Sequence, residues 1–228
     1  MNRSLIACVI LALAALPARA HFIWIIPSPD GNGARVVFND APKAGGPELL
    51  PRIAQAEFWL REAGGDVRPV AKTLDGDAYR LAVAGAPPCT LGGECHYGVT
   101  SRGSKEPFLL VYHCRAGVPF AQGKQPAGPW DRLALEVVPL AGGDAGHFQV
   151  LWHGQPLAGA SVTASTADEA KPVTLKTDDQ GRFSYVTAGG LVGLRVLHEE
   201  KITGDYQGKA YKSIRHYATL VFEAPSKK

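Results

Sequence analysis

Phe148-Gln149-Val150-Leu151-Trp152, closed by His153-Gly154-Gln155-Pro156, is the stretch that decides the fold class. Phe148, Val150 and Trp152 alternate with other residues, the period-two pattern of a strand with one buried face, and the Gly and Pro that follow mark a turn. The same grammar repeats outward. Ala160 to Ala164 and Val173 to Lys176 read as strands, Asp178-Asp179-Gln180-Gly181 as a turn, and Arg182 to Val186 as the strand after it. Val192, Leu194 and Val196 alternate next, and Ile214, Ala218, Leu220 and Phe222 share a face in the last strand. About seven short strands at this spacing predict a small sandwich.

The first half reads less cleanly but in the same way. Arg35 to Phe38, Ala56 to Leu60, Tyr79 to Val83, Tyr97 to Val99, Phe108 to Tyr112 and Leu133 to Val138 are strand-like, with Ser101 to Glu106 as a hairpin turn. Glu48 to Ile53 is the one modest helical candidate, Gly117 to Pro129 a loop, and Leu140 to Asp144 a linker. With 26 glycines and 17 prolines in 228 residues, breakers are frequent enough for an all-β chain. The predicted organisation is two β-sandwich domains, residues 21–140 and 145–224, behind an N-terminal segment 1–20.

That segment has the marks of a signal peptide. Arg3 stands before the apolar run Leu5 to Leu16, and Ala18-Arg19-Ala20 is a small-x-small triplet, so cleavage is expected after Ala20. The run is too short for an ordinary membrane-spanning helix, and nothing later is longer, which predicts a periplasmic or secreted chain without stable membrane insertion. Processing removes Arg3 and Arg19 and no acid. From 24 basic and 21 acidic residues, 22 and 21 remain, a near-neutral balance that gives no reason to expect a nucleic-acid partner. Of the four cysteines, Cys8 lies in the signal segment; an oxidising compartment favours one disulfide and one leftover thiol among Cys89, Cys95 and Cys114, either Cys89 with Cys95 around the turn-like Thr90 to Glu94 or Cys95 with Cys114 diagonally across a hairpin. Met1 is the one methionine, so thioether ligation of Cu(I) is excluded in the processed chain, and imidazole or amine ligands point instead to Ni, Co, Cu(II) or Zn.

Gly154 to Val162, followed by Thr177-Asp178-Asp179-Gln180-Gly181-Arg182-Phe183, resembles the carboxypeptidase-regulatory or transthyretin-like (prealbumin-like) module. Its Pro and Gly turn a strand edge, and the Asp-x-x-Gly turn delivers Phe183 to the core. More widely, the processed start His21-Phe22-Ile23-Trp24, the segments Tyr97 to Val99 and Pro107 to Tyr112, and the ending Tyr211 to Leu220 resemble one exported bacterial family. Some of its members are described as periplasmic components of nickel or cobalt uptake. The resemblance implies a metal-handling protein and, as partners, a metal ion and a membrane metal-uptake transporter.

The histidines give that implication residues. His198 extends the alternation of Val192, Leu194 and Val196, and His216 falls between Ile214 and Ala218, so both side chains are predicted on a buried face. If these strands pair antiparallel around Glu199 to Lys212, the two imidazoles meet at one end of the sheet. After cleavage His21 offers an imidazole and an α-amine. His21, His198 and His216 are therefore the predicted ligands of a divalent transition metal ion, Ni, Co or Cu. Glu199 and Glu200 are candidate ligands or hydrogen-bond partners of those histidines, and Trp24 is either a shield for the site or a packing residue. His113 and His96 rank lower; His147 and His153, beside turns, are expected to be exposed.

The function expected from these features is an exported metal-binding protein that handles or delivers nickel, cobalt or copper for uptake, rather than an enzyme. Two alternatives are a copper oxidase built on an N-terminal histidine brace and a non-catalytic adhesion or carbohydrate-binding sandwich. No GxSxG, HExxH or P-loop pattern occurs, which weighs against hydrolase and nucleotide readings.

Overall fold

The computed structural model describes residues 21–62, 65–83, 89–118, 129–140, 146–167, 171–186 and 189–224. The predicted signal segment, most of the Gly117 to Pro129 loop and residues 141–144 of the predicted linker lie outside these. In chain order, β1 (Phe22–Pro27) and β2 (Gly33–Asn39) precede a 3-10 helix (Pro47–Ile53). Then come β3 (Glu57–Arg61), β4 (Val67–Pro69), β5 (Lys72–Asp75), β6 (Ala78–Ala82), β7 (Cys89–Thr100) and β8 (Phe108–Val118). The second half runs β9 (Leu135–Pro139), β10 (His147–Trp152), β11 (Gln155–Pro156), β12 (Ser161–Thr166), β13 (Val173–Lys176), β14 (Arg182–Ser184) and β15 (Gly190–Glu200). A small hairpin, β16 (Gly204–Tyr206) and β17 (Lys209–Tyr211), leads into β18 (Ser213–Ala224).

The chain is all-β, with a sandwich architecture. An eight-stranded sheet in the order β13-β12-β15-β18-β8-β7-β3-β4 draws strands from both halves of the sequence. The join is β18, antiparallel to β15 and parallel to β8. A parallel pair cannot be closed by a tight turn, and here the whole second half of the chain forms the connection.

Alternation along these strands gives the sheet two buried faces. Val192, Leu194, Val196, Ala218 and Leu220 point one way and meet Leu135, Val137, Phe148 and Val150 of the sheet formed by β9, β10, β11 and β14. Leu110, Tyr112, Cys114 and Val221 point the other way and meet Phe22, Trp24, Val36 and Phe38 of the sheet β1-β2-β6-β5. Each Val, Leu or Phe among them contributes about 1.5–3 kcal/mol when fully buried. The side facing β10 is called the C-side below, and the side facing β1 the N-side.

One close approach ties β1 to the central sheet. A Cβ on Gly193 would lie 2.6 Å from the Trp24 ring, so only glycine leaves room for the indole against β15. Trp24 is fully buried and its Nε1 donates to Asn39 O at 2.9 Å. It is a packing residue.

The disulfide expected among the cysteines does not form: Cys89, Cys95 and Cys114 are all buried thiols. In the β7–β8 register Cys95 faces Tyr112 while Cys114 faces Gly93, a diagonal relation. Diagonal neighbours stand about 7–8 Å apart, beyond the usual Cα span of a disulfide. Cys114 Sγ lies 3.4 Å from the Gly93 carbonyl instead.

Candidate functional site

Three strand pairings assemble a row of imidazoles and carboxylates on the C-side of the central sheet. The antiparallel β7–β8 register sets Glu94 opposite His113. The parallel β8–β18 register sets His113 opposite Ala218, which brings His216, two residues earlier, onto the same face. The antiparallel β15–β18 register sets His198 directly opposite His216, with Glu200 two residues further on. The antiparallel pairing and shared face inferred for His198 and His216 are thus present.

Contacts run along the row almost without a break. His96 Nε2 lies 2.9 Å from Glu94 Oε1, and His113 Nδ1 lies 3.2 Å from Glu94 Oε2. The latter is an ion-pair distance without a hydrogen bond. His113 Nε2 meets His216 Nδ1 at 3.0 Å, and His216 Nε2 meets Glu200 Oε2 at 3.1 Å. The rings of His113 and His216 are nearly parallel, at 11°. Trp152, from the end of β10, covers the C-terminal part, with ring centroids 4.3 Å from His198 and 4.8 Å from His216. At the other end Tyr206 of the β16–β17 hairpin stacks on His96 at 5.8 Å.

Burial sets the charge states. His113 is 1% exposed and His216 7%. Desolvation, reinforced by the neighbouring His113, lowers the pKa of His216 to about 4, against a weaker pull upward from Glu200. Burial likewise lowers His198. Burial alone would raise the Glu94 carboxyl, yet His113 and His96 hold it down at about 2, and Glu94 in turn raises His96. At neutral pH His216 is a neutral imidazole, and it must donate through one nitrogen and accept through the other.

His21 is placed elsewhere. Its carbonyl accepts a 2.9 Å hydrogen bond from Tyr112 Oη, and its ring lies 5.6 Å from Phe38. Tyr112 precedes His113 and Tyr217 follows His216, so both tyrosines face the N-side and the backbone of the central sheet separates His21 from the row. His198 and His216 are brought together; His21 does not join them. Among the described residues, no group of three or more His, Cys, Asp or Glu side chains converges to hold a metal ion.

Alternation also separates the two candidate glutamates. Glu200 lies on the row, whereas Glu199 bonds Ser213 Oγ at 2.8 Å and pairs with Lys201 and Arg215. The residues that the sequence reading ranked low or passed over are His113 and Glu94. Glu94 and His96, two apart in a strand, had to share a face; no local pattern said that β8 would lie beside β18. His147 and His153 are exposed, as expected.

Residues 18–200 match the family described as "Domain of unknown function (DUF4198)". No curated protein matches the chain.

Proposed function

The chain belongs to the DUF4198 family, a domain of unknown function, and on that premise we propose that it is an exported protein that binds a divalent transition metal ion as cargo. The observation that carries this reading is the opposition of His198 and His216 with Glu200 Oε2 3.1 Å from His216 Nε2. Two imidazoles and a carboxylate are a donor set suited to Ni, Co, Cu(II) or Zn. A metal ligand must be a neutral imidazole, and the depressed pKa of His216 keeps it so at neutral pH. The thiols are poor competitors, since burial raises all three and pushes Cys95 up to about 12.

In this reading His216 presents Nε2 to the ion while Nδ1 stays on His113, whose other nitrogen faces Glu94. That carboxylate–imidazole support fixes the tautomer of the ligating ring. His198 turns off the Trp152 ring to supply the second nitrogen, and Glu200 changes from hydrogen-bond acceptor to ligand. His21 is left out, and with it the three-histidine site that would join it to His198 and His216. The nickel and cobalt uptake role and the transporter partner extend this proposal by resemblance. Export through residues 1–20 does so by their signal-like sequence.

Calorimetric titration of the exported protein with Ni(II), Co(II) and Cu(II) tests the reading. One of these ions is expected to bind, with at least a tenfold loss of affinity in His216→Ala and in Glu200→Ala and little change in His21→Ala. Absence of binding by all three ions, or loss in His21→Ala with retention in His216→Ala, overturns it. Intact mass of the exported chain, expected to begin at His21, checks the processing.

A further inference from the structure

On the N-side, at the end of the sheet where β7 and β8 turn, lies a cavity of about 450 Å³ that the metal reading does not use. Small-molecule sites have about this size and this make-up, apolar walls with a few placed polar groups. Its walls are rings. Tyr112 stands at the centre, with Tyr217 stacked beside it at 6.1 Å and Phe38 and Tyr97 edge-on at 5.8 Å each. The hydroxyls of Tyr97 and Tyr217 have no hydrogen-bond partner among the described residues, while that of Tyr112 is committed to the His21 carbonyl.

A β-bulge builds one wall. The register of β7 against β8 slips between His96 and Gly98, and Gly98 adopts φ 120°, a conformation open to glycine. Without the extra residue Thr100 would share the C-side face of Glu94 and His96. With it, Thr100 sits opposite Phe108 and both it and Tyr97 line the cavity.

The charge at this mouth has one sign. Arg52, Arg102 and Arg215 line the cavity and, among the described residues, no Asp or Glu does. Arg215 is accounted for, its guanidinium 4.0 Å over the Phe108 ring and 3.6 Å from Glu199. Arg52 and Arg102 have no ion-pair partner among the described residues. Two uncompensated guanidinium forks beside aromatic walls match a planar anion, because the forks bind a carboxylate through paired hydrogen bonds and the rings stack on its flat body.

From this geometry we propose that the cavity is a binding site for a planar aromatic carboxylate. The ring of the ligand lies among Tyr97, Tyr112 and Tyr217, its carboxylate faces Arg52 and Arg102, and a ring hydroxyl meets the open tyrosine hydroxyls. The site is independent of the histidine row, on the opposite face of the sheet.

The probe is 4-hydroxybenzoate, compared with its uncharged amide, 4-hydroxybenzamide, by calorimetry and by saturation-transfer NMR on the exported protein. The acid is expected to bind and the amide to bind at least tenfold more weakly. Replacing the two exposed arginines together, Arg52→Ala with Arg102→Ala, is expected to weaken the acid at least tenfold and to leave the melting temperature unchanged. Tyr97→Phe should weaken 4-hydroxybenzoate more than benzoate. No binding of the acid at millimolar concentration, equal binding of acid and amide, or undiminished binding in the double arginine variant overturns the proposal.

Discussion

The two faces of the central sheet are made by alternate residues of the same strands, yet they carry opposite kinds of chemistry. Tyr112 and His113 are neighbours in β8, and His216 and Tyr217 are neighbours in β18. The histidines fall into a buried hydrogen-bonded row with carboxylates, the tyrosines into an open aromatic cavity edged by arginine. A strand shared between two sandwiches has no solvent face on which to place polar groups cheaply, so each buried polar side chain on it must find a partner. The C-side meets most of that demand with side chains from four strands, β7, β8, β15 and β18; the N-side mostly avoids it by using rings whose polar tips reach the cavity.

The largest expected effect breaks the C-side at its most buried pair. Arg115 Nη1 lies 2.7 Å from Glu136 Oε2, each side chain is 1% exposed, and Glu136 also accepts from the Trp130 backbone N–H. Glu136→Gln leaves a guanidinium buried against a neutral amide and should cost about 3–5 kcal/mol in urea unfolding. No N-side hydrogen bond should approach this.

Acid should attack the same face next. His216 titrates at about 4 when folded and near 6.5 when unfolded, so the unfolded chain binds more protons between those values. Its contribution to stability is full above 6.5 and is lost as pH falls towards 4, by up to about 1.4 kcal/mol per pH unit. The loss from Glu94, with its carboxyl at about 2, belongs to still lower pH. Unfolding midpoints measured across this range should show the slope in the wild type and a flatter one in His216→Gln. An equal slope in both would remove His216 from the account.

The contact that binds the N-side layer to the sheet offers a smaller test. Gly193→Ala drives a methyl against the buried Trp24 ring and should cost about 1–3 kcal/mol, read as a lower melting temperature with metal affinity unchanged. Smallest of all, Tyr112→Phe removes the hydroxyl that holds His21 and should cost about 0.5–1.5 kcal/mol. If it also weakened metal binding, the separation of the two faces would be wrong.

How far the sequence carried this comparison depended on range. Val192 to Val196 and Ile214 to Phe222 announced their own alternation, and with it the shared face of His198 and His216. Val173–Lys176 has the predicted bounds. Pairing between β8 and β18 was a different matter, because His113 and His216 are 103 positions apart and no period connects them. For the same reason the side on which His21 lies could not be read: it follows from β1 crossing the N-side, a fact of layer packing. The hairpin β16–β17 was hidden inside a polar segment, since two three-residue strands carry too little alternation to register.

The position of β18 also governs when either site can exist. Among the described strands it is the last in chain order, and it fills the gap between β15 and β8. Until it arrives, both of those strands present a bare edge, the kind of surface on which chains stick to one another. A chain delivered N-terminus first therefore emerges with its row and its cavity both incomplete. Ser213 to Ala224 closes the two together in one late step. Premature termination before that strand should yield a product with neither site and a strong tendency to aggregate.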